Sequence, residues 1–374
     1  MRGFFTSRWK AYSGFAIAAV LLFAVAPAVL SDFRLNLLGK FLCFGIVAVG
    51  IGLAWGRGGM LTLGQGVFFG LGAYIMAMHL KISDAQLRGD DVPDFMQIAG
   101  MRELPGYWVP FGSPVVTILG ILIVPPLVAV LLGLGVFKRK VKGAYFAILS
   151  QALAAAFAIL LVGQQSTGGS NGLNRFRSFF GLALNDPVNR RLLFFIAAAT
   201  LLVIVALTRQ LMYSRYGELL VAVRDQEERV RFLGYDPANV KVVAYAVAAL
   251  FAGIAGALFV PIVGIVSPAD IGIVPSIAFL TGVAIGGRTT LLGPVLGAIA
   301  VAWAQTSLSE NFPSGWVYAQ GILFIVVVGF FPAGLAGLVT LVRRRRRDDE
   351  KDAAPPGPVP EPEPAPATPV GVSS

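Results

Sequence analysis

The chain has 374 residues, of which 56% are hydrophobic and only 13% charged. Soluble domains carry roughly 25% charged residues, so this composition excludes a soluble enzyme and defines a membrane protein. The formal charge of +10 then reads as Lys and Arg gathered in cytoplasmic loops, not as a nucleic-acid surface, and the lone Cys43 and lone His79 exclude a disulfide framework and a Cys/His metal site.

Apolar runs place candidate spans at 14–30, 35–55, 59–80, 113–136, 143–163, 191–208, 241–260, 276–287, 291–307 and 318–341. A full span needs about 20 residues. The eighth run is short, and Gly286-Gly287-Arg288 separates it from the ninth, which predicts a broken helix pair. At the N-terminus Arg2, Arg8 and Lys10 precede the first run, and Ala26-Pro27-Ala28 resembles a signal-peptidase site. An uncleaved first span is preferred, because the topology closes with it retained.

Four basic clusters set the orientation: Arg2, Arg8 and Lys10; Lys138, Arg139, Lys140 and Lys142; the run from Arg209 to Lys241; and Arg343 through Arg347. Ten spans with both termini inside put all four in the cytoplasm. The expected organisation is a cytoplasmic N-terminus over 1–13, an all-α polytopic transmembrane domain over 14–342 and a cytoplasmic tail over 343–374. Within the domain, 81–112 is an external loop and 209–240 a cytoplasmic segment. The tail alternates Pro with Ala, Val and Glu and is expected to be disordered. The Arg run before it anchors topology and touches anionic lipid. His79 is expected at an interface.

In chain order, the first motif is Gly56-Arg57-Gly58-Gly59 through Gly72. Its glycines allow close helix packing or an unwound helix lining a pathway. Thr62 and Gln65 bring a hydroxyl and an amide to membrane depth, for a solute or for their own helix. Next come Gln151, inside the fifth predicted span, and the run Thr167-Gly168-Gly169-Ser170-Asn171-Gly172. An intramembrane amide is costly unless paired or facing water. Gln151 and Asn171 therefore read as contacts to a polar solute or as an interhelical bond and an external turn. The third motif is Gly282 to Gly297, flanked by Thr281. Two glycine-interrupted segments in the two halves of a transporter point to the substrate path. Arg288 there is a partner contact or a topology anchor.

No Asp or Glu falls inside a predicted span, whereas proton-coupled carriers usually place a carboxylate there. No G-x-x-x-x-G-K-[ST] phosphate loop occurs. A neutral or zwitterionic solute, driven by an engine on another chain, fits both absences. A self-contained sodium-coupled carrier and a passive channel remain open. The segment Ser214 to Tyr235 is the place for an engine to hold. Leu219, Val223, Val230 and Leu233 fall near one helical face, and Arg224–Glu228 and Glu227–Arg231 are spaced i,i+4. Gly234 and Pro237 supply a stop. A helix lying on its own protein is the alternative to a docking helix.

At these residues the chain resembles permeases of the branched-chain amino acid and urea/short-chain amide ABC transporters, over roughly 35–340. The anchors are the Gly59-to-Gly72 segment, the Thr167–Gly172 run, the Tyr216-to-Gly234 segment, and Gly286-Gly287-Arg288-Thr289 with Leu291-Leu292-Gly293-Pro294. The resemblance implies that 214–235 couples to an ATP-binding subunit through Gly217, Glu218, Arg224, Asp225, Glu227, Glu228, Arg231 and Gly234. Glu218 stands where the family usually has Arg. Tyr145-Phe146-x-Ile148-x-x-Gln151-Ala152-Leu153 and Leu104-Pro105-Gly106-Tyr107-Trp108-Val109-Pro110-Phe111 look closer to the urea permease, with branched-chain amino acids the alternative. The implied partners are a second homologous permease, two ATP-binding subunits carrying ATP and magnesium, and a periplasmic solute-binding protein. The implied location is the bacterial inner membrane. No cofactor, metal or nucleic acid is expected on this chain.

Overall fold

The computed structural model describes residues 14–141, 143–309, 315–330 and 334. The basic clusters at Arg2–Lys10 and Arg343–Arg347, Lys142 and the Pro-rich tail lie outside the described residues. Among the described residues, twelve helices besides the short Asp94–Ile98 turn carry the architecture: α1 (Gly14–Val29), α2 (Asp32–Arg57), α3 (Gln65–Arg88), α4 (Pro114–Phe137), α5 (Ala144–Gly163), α6 (Pro187–Met212), α7 (Arg215–Asp225), α8 (Glu227–Phe232), α9 (Pro237–Val263), α10 (Ile273–Gly286), α11 (Gly293–Ser309) and α12 (Gly315–Phe330). Seven helical segments among the described residues are long and apolar enough to cross a membrane: α2, α3, α4, α5, α6, α9, and Pro268–Gly286, which contains α10.

Burial sorts these helices into layers. The most apolar window of α3 is 89% buried and that of α4 only 22%. Helices α2, α3 and α9 form the centre, and α4 and α5 turn apolar side chains such as Leu131 and Ile159 outward. Glycines set how closely the central helices approach. A Cβ at Gly72 of α3 would collide with the Gly253 backbone of α9, and one at Gly256 of α9 with Phe69 O of α3. Gly253 also receives the ring of Pro125, one of two prolines inside α4. A proline frees a helix carbonyl and tends to kink the helix, and the missing side chain at Gly253 gives that ring its room.

Local chemistry fixes the helix starts. Asp186 and Asp236 accept the amide hydrogens of Val188 and Ala238 at 3.0 and 2.9 Å, each just before a proline in the first turn. Gly89 and Gly264, at φ +79° and +81°, end α3 and α9 in the left-handed conformation.

At the end of the bundle away from α7 and α8, α3 runs farther than the hydropathy implied, so the following loop begins at 89 and not 81. The reason is Asp84, a buried acid that accepts Arg177 N–H at 2.8 Å, Ser178 N–H at 3.0 Å and Ser178 Oγ–H at 2.7 Å. It pins a small hairpin, Ser178–Phe179 paired with Leu182–Ala183. A charged hydrogen bond contributes roughly 1.5–3 kcal/mol. Asp84→Ala is therefore expected to release the 175–184 hairpin, seen as faster amide exchange there, with Asp84→Asn intermediate; unchanged exchange in the alanine variant would contradict this. His79 is buried, and its Nδ1–H donates to Phe111 O at 2.8 Å. It ties the 89–113 loop down to α3. Trp108, fully buried, anchors the same loop.

Candidate functional site: a broken-helix path and a polar platform

Helix α2 does not end regularly. Its last six residues, Gly52–Arg57, widen into a π-helix, a feature common at functional sites. Gly59, at φ +68°, turns the chain, and 58–64 runs unwound to the start of α3. Unwound backbone at membrane depth must find internal partners, and two hydroxyls from other helices supply them. Leu63 N–H donates to Ser150 Oγ at 2.9 Å, and Gly66 N–H donates to Ser276 Oγ at 3.2 Å. Each serine passes its own proton to a carbonyl of its own segment, Ala147 O at 2.8 Å and Gly272 O at 2.9 Å.

The glycines permit this convergence. A Cβ at Gly64 would collide with Ser150 O, one at Gly66 with Ile271 O, and one at Gly70 would crowd the Ile271 side chain. The Gly66–Gly70 stripe thus receives the chain just before α10. Two helix starts, Gly64–Gln65 and Gly272–Ile273, meet inside the bundle.

Thr62 and Gln65 are both 1% exposed. Thr62 lies against the Tyr245 phenol. Gln65 has neither its Oε1 nor its Nε2 bonded to protein. Burying an amide without partners costs roughly 1–3 kcal/mol by protein mutational data, so Gln65 sits at the break at an energetic cost that no protein contact offsets. The other expected path residues do not join it. Gln151 is only half-buried, and its neighbour Ser150 makes the inter-helix bond. Asn171 is exposed on the turn after α5, where Gly168 and Gly172, at φ +84° and +68°, fold the chain so that Leu173–Asn174 pairs with Ile265–Val266. The Thr167–Gly172 run is therefore a turn that clasps two loops. Thr281 is buried but bonds its own helix, Oγ1 to Ile277 O at 2.8 Å. Sequence reasoning missed Ser150 and Ser276; Ser276 lies four residues after Gly272, whereas no glycine stands near Ser150 to mark it.

Replacing both hydroxyls, as Ser150→Ala with Ser276→Ala, strands two backbone donors. At roughly 1–3 kcal/mol per unsatisfied group, the double variant is expected to unfold in denaturing detergent clearly before the wild type, with each single variant between. Coincident unfolding of all four proteins would show that the break is held some other way.

The second glycine region is a helical hairpin. Cβ atoms at Gly286 and Gly297 would collide with Gly293 O and Gly282 O, so α10 and α11 pack backbone to backbone. Arg288 in the connecting turn stacks its guanidinium 4.8 Å from the centre of the Trp55 ring, and its carbonyl occupies the space that a Cβ at Gly56 would need. It clamps the hairpin to the π-turn of α2.

The polar segment 213–236 lies at the same end of the bundle as this turn. It forms two helices, not one: backbone at Gln226 (φ −148°, ψ +77°) separates α7 from α8. Leu220, Val223 and Val230 are buried, whereas Leu233 is 75% exposed, off the expected face. Gly217 is buried against the carbonyls of Leu211 and Met212, which lets α7 fold back on the end of α6. Tyr216 donates to Val240 O at 2.7 Å, and Lys241 meets Glu227 at 2.8 Å. Glu227–Arg231 forms as expected at 3.5 Å, but Arg224 pairs with Asp225 at 2.8 Å instead of Glu228. The Arg224 hydrogen bond holds the Asp225 carboxyl below its ordinary range. The platform presents Glu218, Asp225, Glu228 and Arg231 outward, with Phe232 91% exposed and Gly234, at φ +87°, closing α8. Arg224 also reaches inward: its Nη1 donates to Gly56 O at 2.8 Å, and its stem covers Gly59. The platform therefore touches the broken helix directly.

A helical bundle with a discontinuous interior path and a polar platform touching the break has the parts of a membrane transport permease. The chain belongs to the branched-chain amino acid transport system/permease component family, whose pattern matches residues 33–343. It is 27% identical over 347 residues to the high-affinity branched-chain amino acid transport system permease protein LivM of Escherichia coli (strain K12), across 85% of this chain and 74% of that protein. It is similar also to BraD of Pseudomonas aeruginosa, 24% identical across 79% of this chain and 91% of the relative. A shorter match, 28% identical over 142 residues, joins 37% of this chain to 45% of LivH of Escherichia coli (strain K12). No solved structure matches. All three relatives are named for branched-chain amino acids, which favours that alternative over the urea reading.

Proposed function

We propose that this chain is one permease subunit of an ATP-driven importer for aliphatic amino acids. The bond from Arg224 to Gly56 O carries the reading, because it links an exposed polar platform to the glycine break. A partner that tilts α7 would pull on the π-turn, and the Ser150 and Ser276 contacts would re-form or break as the path opens. The seven long helical segments together with α1, α11 and α12 make ten spans. With α7 and α8 in the cytoplasm, both termini lie inside and the 89–113 loop outside the bacterial inner membrane.

In this reading Glu218, Asp225, Glu228, Arg231 and the exposed Phe232 meet an ATP-binding subunit, one of two that hold ATP and magnesium. Gly217 and Gly234 shape the platform, and Arg224 and Glu227 tie it to the bundle. A second homologous permease completes the pore, and a periplasmic solute-binding protein delivers the solute. That this chain matches relatives of both the LivM and LivH names supports pairing of homologous permeases.

Two measurements test the proposal. Cysteines placed singly along 218–231 should cross-link to the ATPase; a transporting complex in which none links would refute the docking. Labelled leucine should enter proteoliposomes bearing the complete transporter with ATP, and labelled urea should not. Gradient-driven uptake by the chain alone would identify a self-contained carrier instead.

A further inference from the structure

One cavity contains both signs of charge, and neither the path nor the platform uses it. It has a volume of about 120 Å³, is partly open, and lies among α2, α3, α9, α10 and α11. Lys40 and Asp270 line it, above four phenylalanines: Phe44, Phe69, Phe259 and Phe279. Phe44 lies 5.7 Å from Phe259 and 5.2 Å from Phe279, and Phe69 lies 5.2 Å from Phe259. Lys40 projects from α2, well inside a membrane-spanning helix. Asp270 comes from the chain just before α10, and its Oδ2 accepts Ser267 N–H and Oγ–H at 2.9 and 2.8 Å.

Lys40 and Asp270 make no ion pair within 4 Å among the described residues, and both are half-buried. Ionisable groups inside a membrane are costly and normally pair with each other or face a functional cavity. Here the cation and the anion stand apart across one pocket. Asp270 Oδ1 makes none of the bonds that hold Oδ2. The pocket therefore offers a positive point, a negative point and an aromatic apolar floor.

We infer that this cavity is a binding site for a zwitterionic aliphatic amino acid. Lys40 faces the α-carboxylate, Asp270 the α-ammonium, and the four rings the side chain. The size suits the side chain: a cavity of about 150 Å³ lined by apolar side chains holds a benzene molecule, so one of about 120 Å³ takes a branched side chain of three or four carbons, with the charged α-groups toward its open part. Urea, with no charge and no apolar group, would use neither feature. The inference rests on the amino-acid reading above and gives it a site in this chain.

The test uses the assembled transporter in nanodiscs without a solute-binding protein, so that this chain's own selectivity is read. Labelled leucine is displaced by leucine, by leucinamide, which lacks the carboxylate, and by 4-methylpentanoate, which lacks the ammonium. The wild type is expected to prefer leucine at least tenfold over both analogues. In Lys40→Met, leucinamide should compete as well as leucine, and in Asp270→Asn, 4-methylpentanoate should. Ala302→Leu fills the cavity without touching either charge and should abolish leucine binding, which covers the case in which a charge variant does not assemble. An unchanged order of competitors in both charge variants would overturn the inference, as would leucine binding that survives Ala302→Leu. Failure of the amino-acid reading is separate: the wild-type transporter, with its binding protein and ATP, would then import no leucine.

Discussion

Gly72→Val is expected to prevent the folded chain from accumulating in the membrane. Gly72 faces Gly253 where α3 crosses α9, and the atoms an added Cβ would strike are all backbone: the carbonyl oxygen, carbonyl carbon and Cα of Gly253. No rotamer change relieves such a clash, so the two central helices must separate. Overpacking against movable side chains typically costs about 1–3 kcal/mol. Separating two helix backbones also forfeits van der Waals contacts along their length, which largely hold helices together in lipid. The cost should therefore exceed that range. Gly135→Ala in α4 is the control, since nothing lies within 4 Å of its Cβ position. It should leave stability unchanged or raise it by up to about 1 kcal/mol, the helix-propensity gain of alanine over glycine. Detergent-denaturation midpoints and folded yield would check both. A Gly72→Val protein that unfolds like the wild type would show that α3 and α9 do not pack in this way.

Arg224→Ala is expected to cut ATP-driven uptake at least tenfold while the complex still assembles and hydrolyses ATP. The guanidinium bond to Gly56 O and the cover over Gly59 are the polar contact between platform and break, beside the Leu220 side chain near Gly58. A hydrogen bond to a charged group contributes about 1.5–3 kcal/mol, and about 1.4 kcal/mol is tenfold in an equilibrium. Losing it would let α7 move without carrying the π-turn. Arg224→Lys keeps the charge but supplies a point donor in place of a planar fork and should fall between. The deciding quantity is solute moved per ATP. If that ratio is unchanged in the alanine variant, coupling runs through other contacts.

Much of this protein was legible in local sequence. Span positions follow from runs of apolar residues, because lipid tolerates little else over about 20 residues. The glycines at 66, 70, 282, 286, 293 and 297 marked close approach, and the structure finds backbone against them at all but Gly70, which receives the Ile271 side chain. The platform was also visible, as a charged segment between apolar ones. What sequence misjudged was partnership. Gln151 looked like the polar group of α5, yet Ser150 faces the break, since one step along a helix turns a side chain by about 100°. Arg224 had Glu228 in reach at i,i+4 but found Gly56 O, 168 residues away. Asp84 looked like a loop acid because the amides it binds lie 93 and 94 residues further on.

Composition and periodicity alone determined that this chain spans a membrane, breaks its helices at glycine, and carries a charged polar segment between apolar ones. These are properties of short windows in contact with one solvent. Only the tertiary structure decided that two helix starts meet between Ser150 and Ser276, and that Lys40 and Asp270 share a pocket floored by four phenylalanines. Those residues are 126 and 230 positions apart in the sequence. Nothing in the local pattern around either member of a pair records the other, because their proximity is set by how the helices pack.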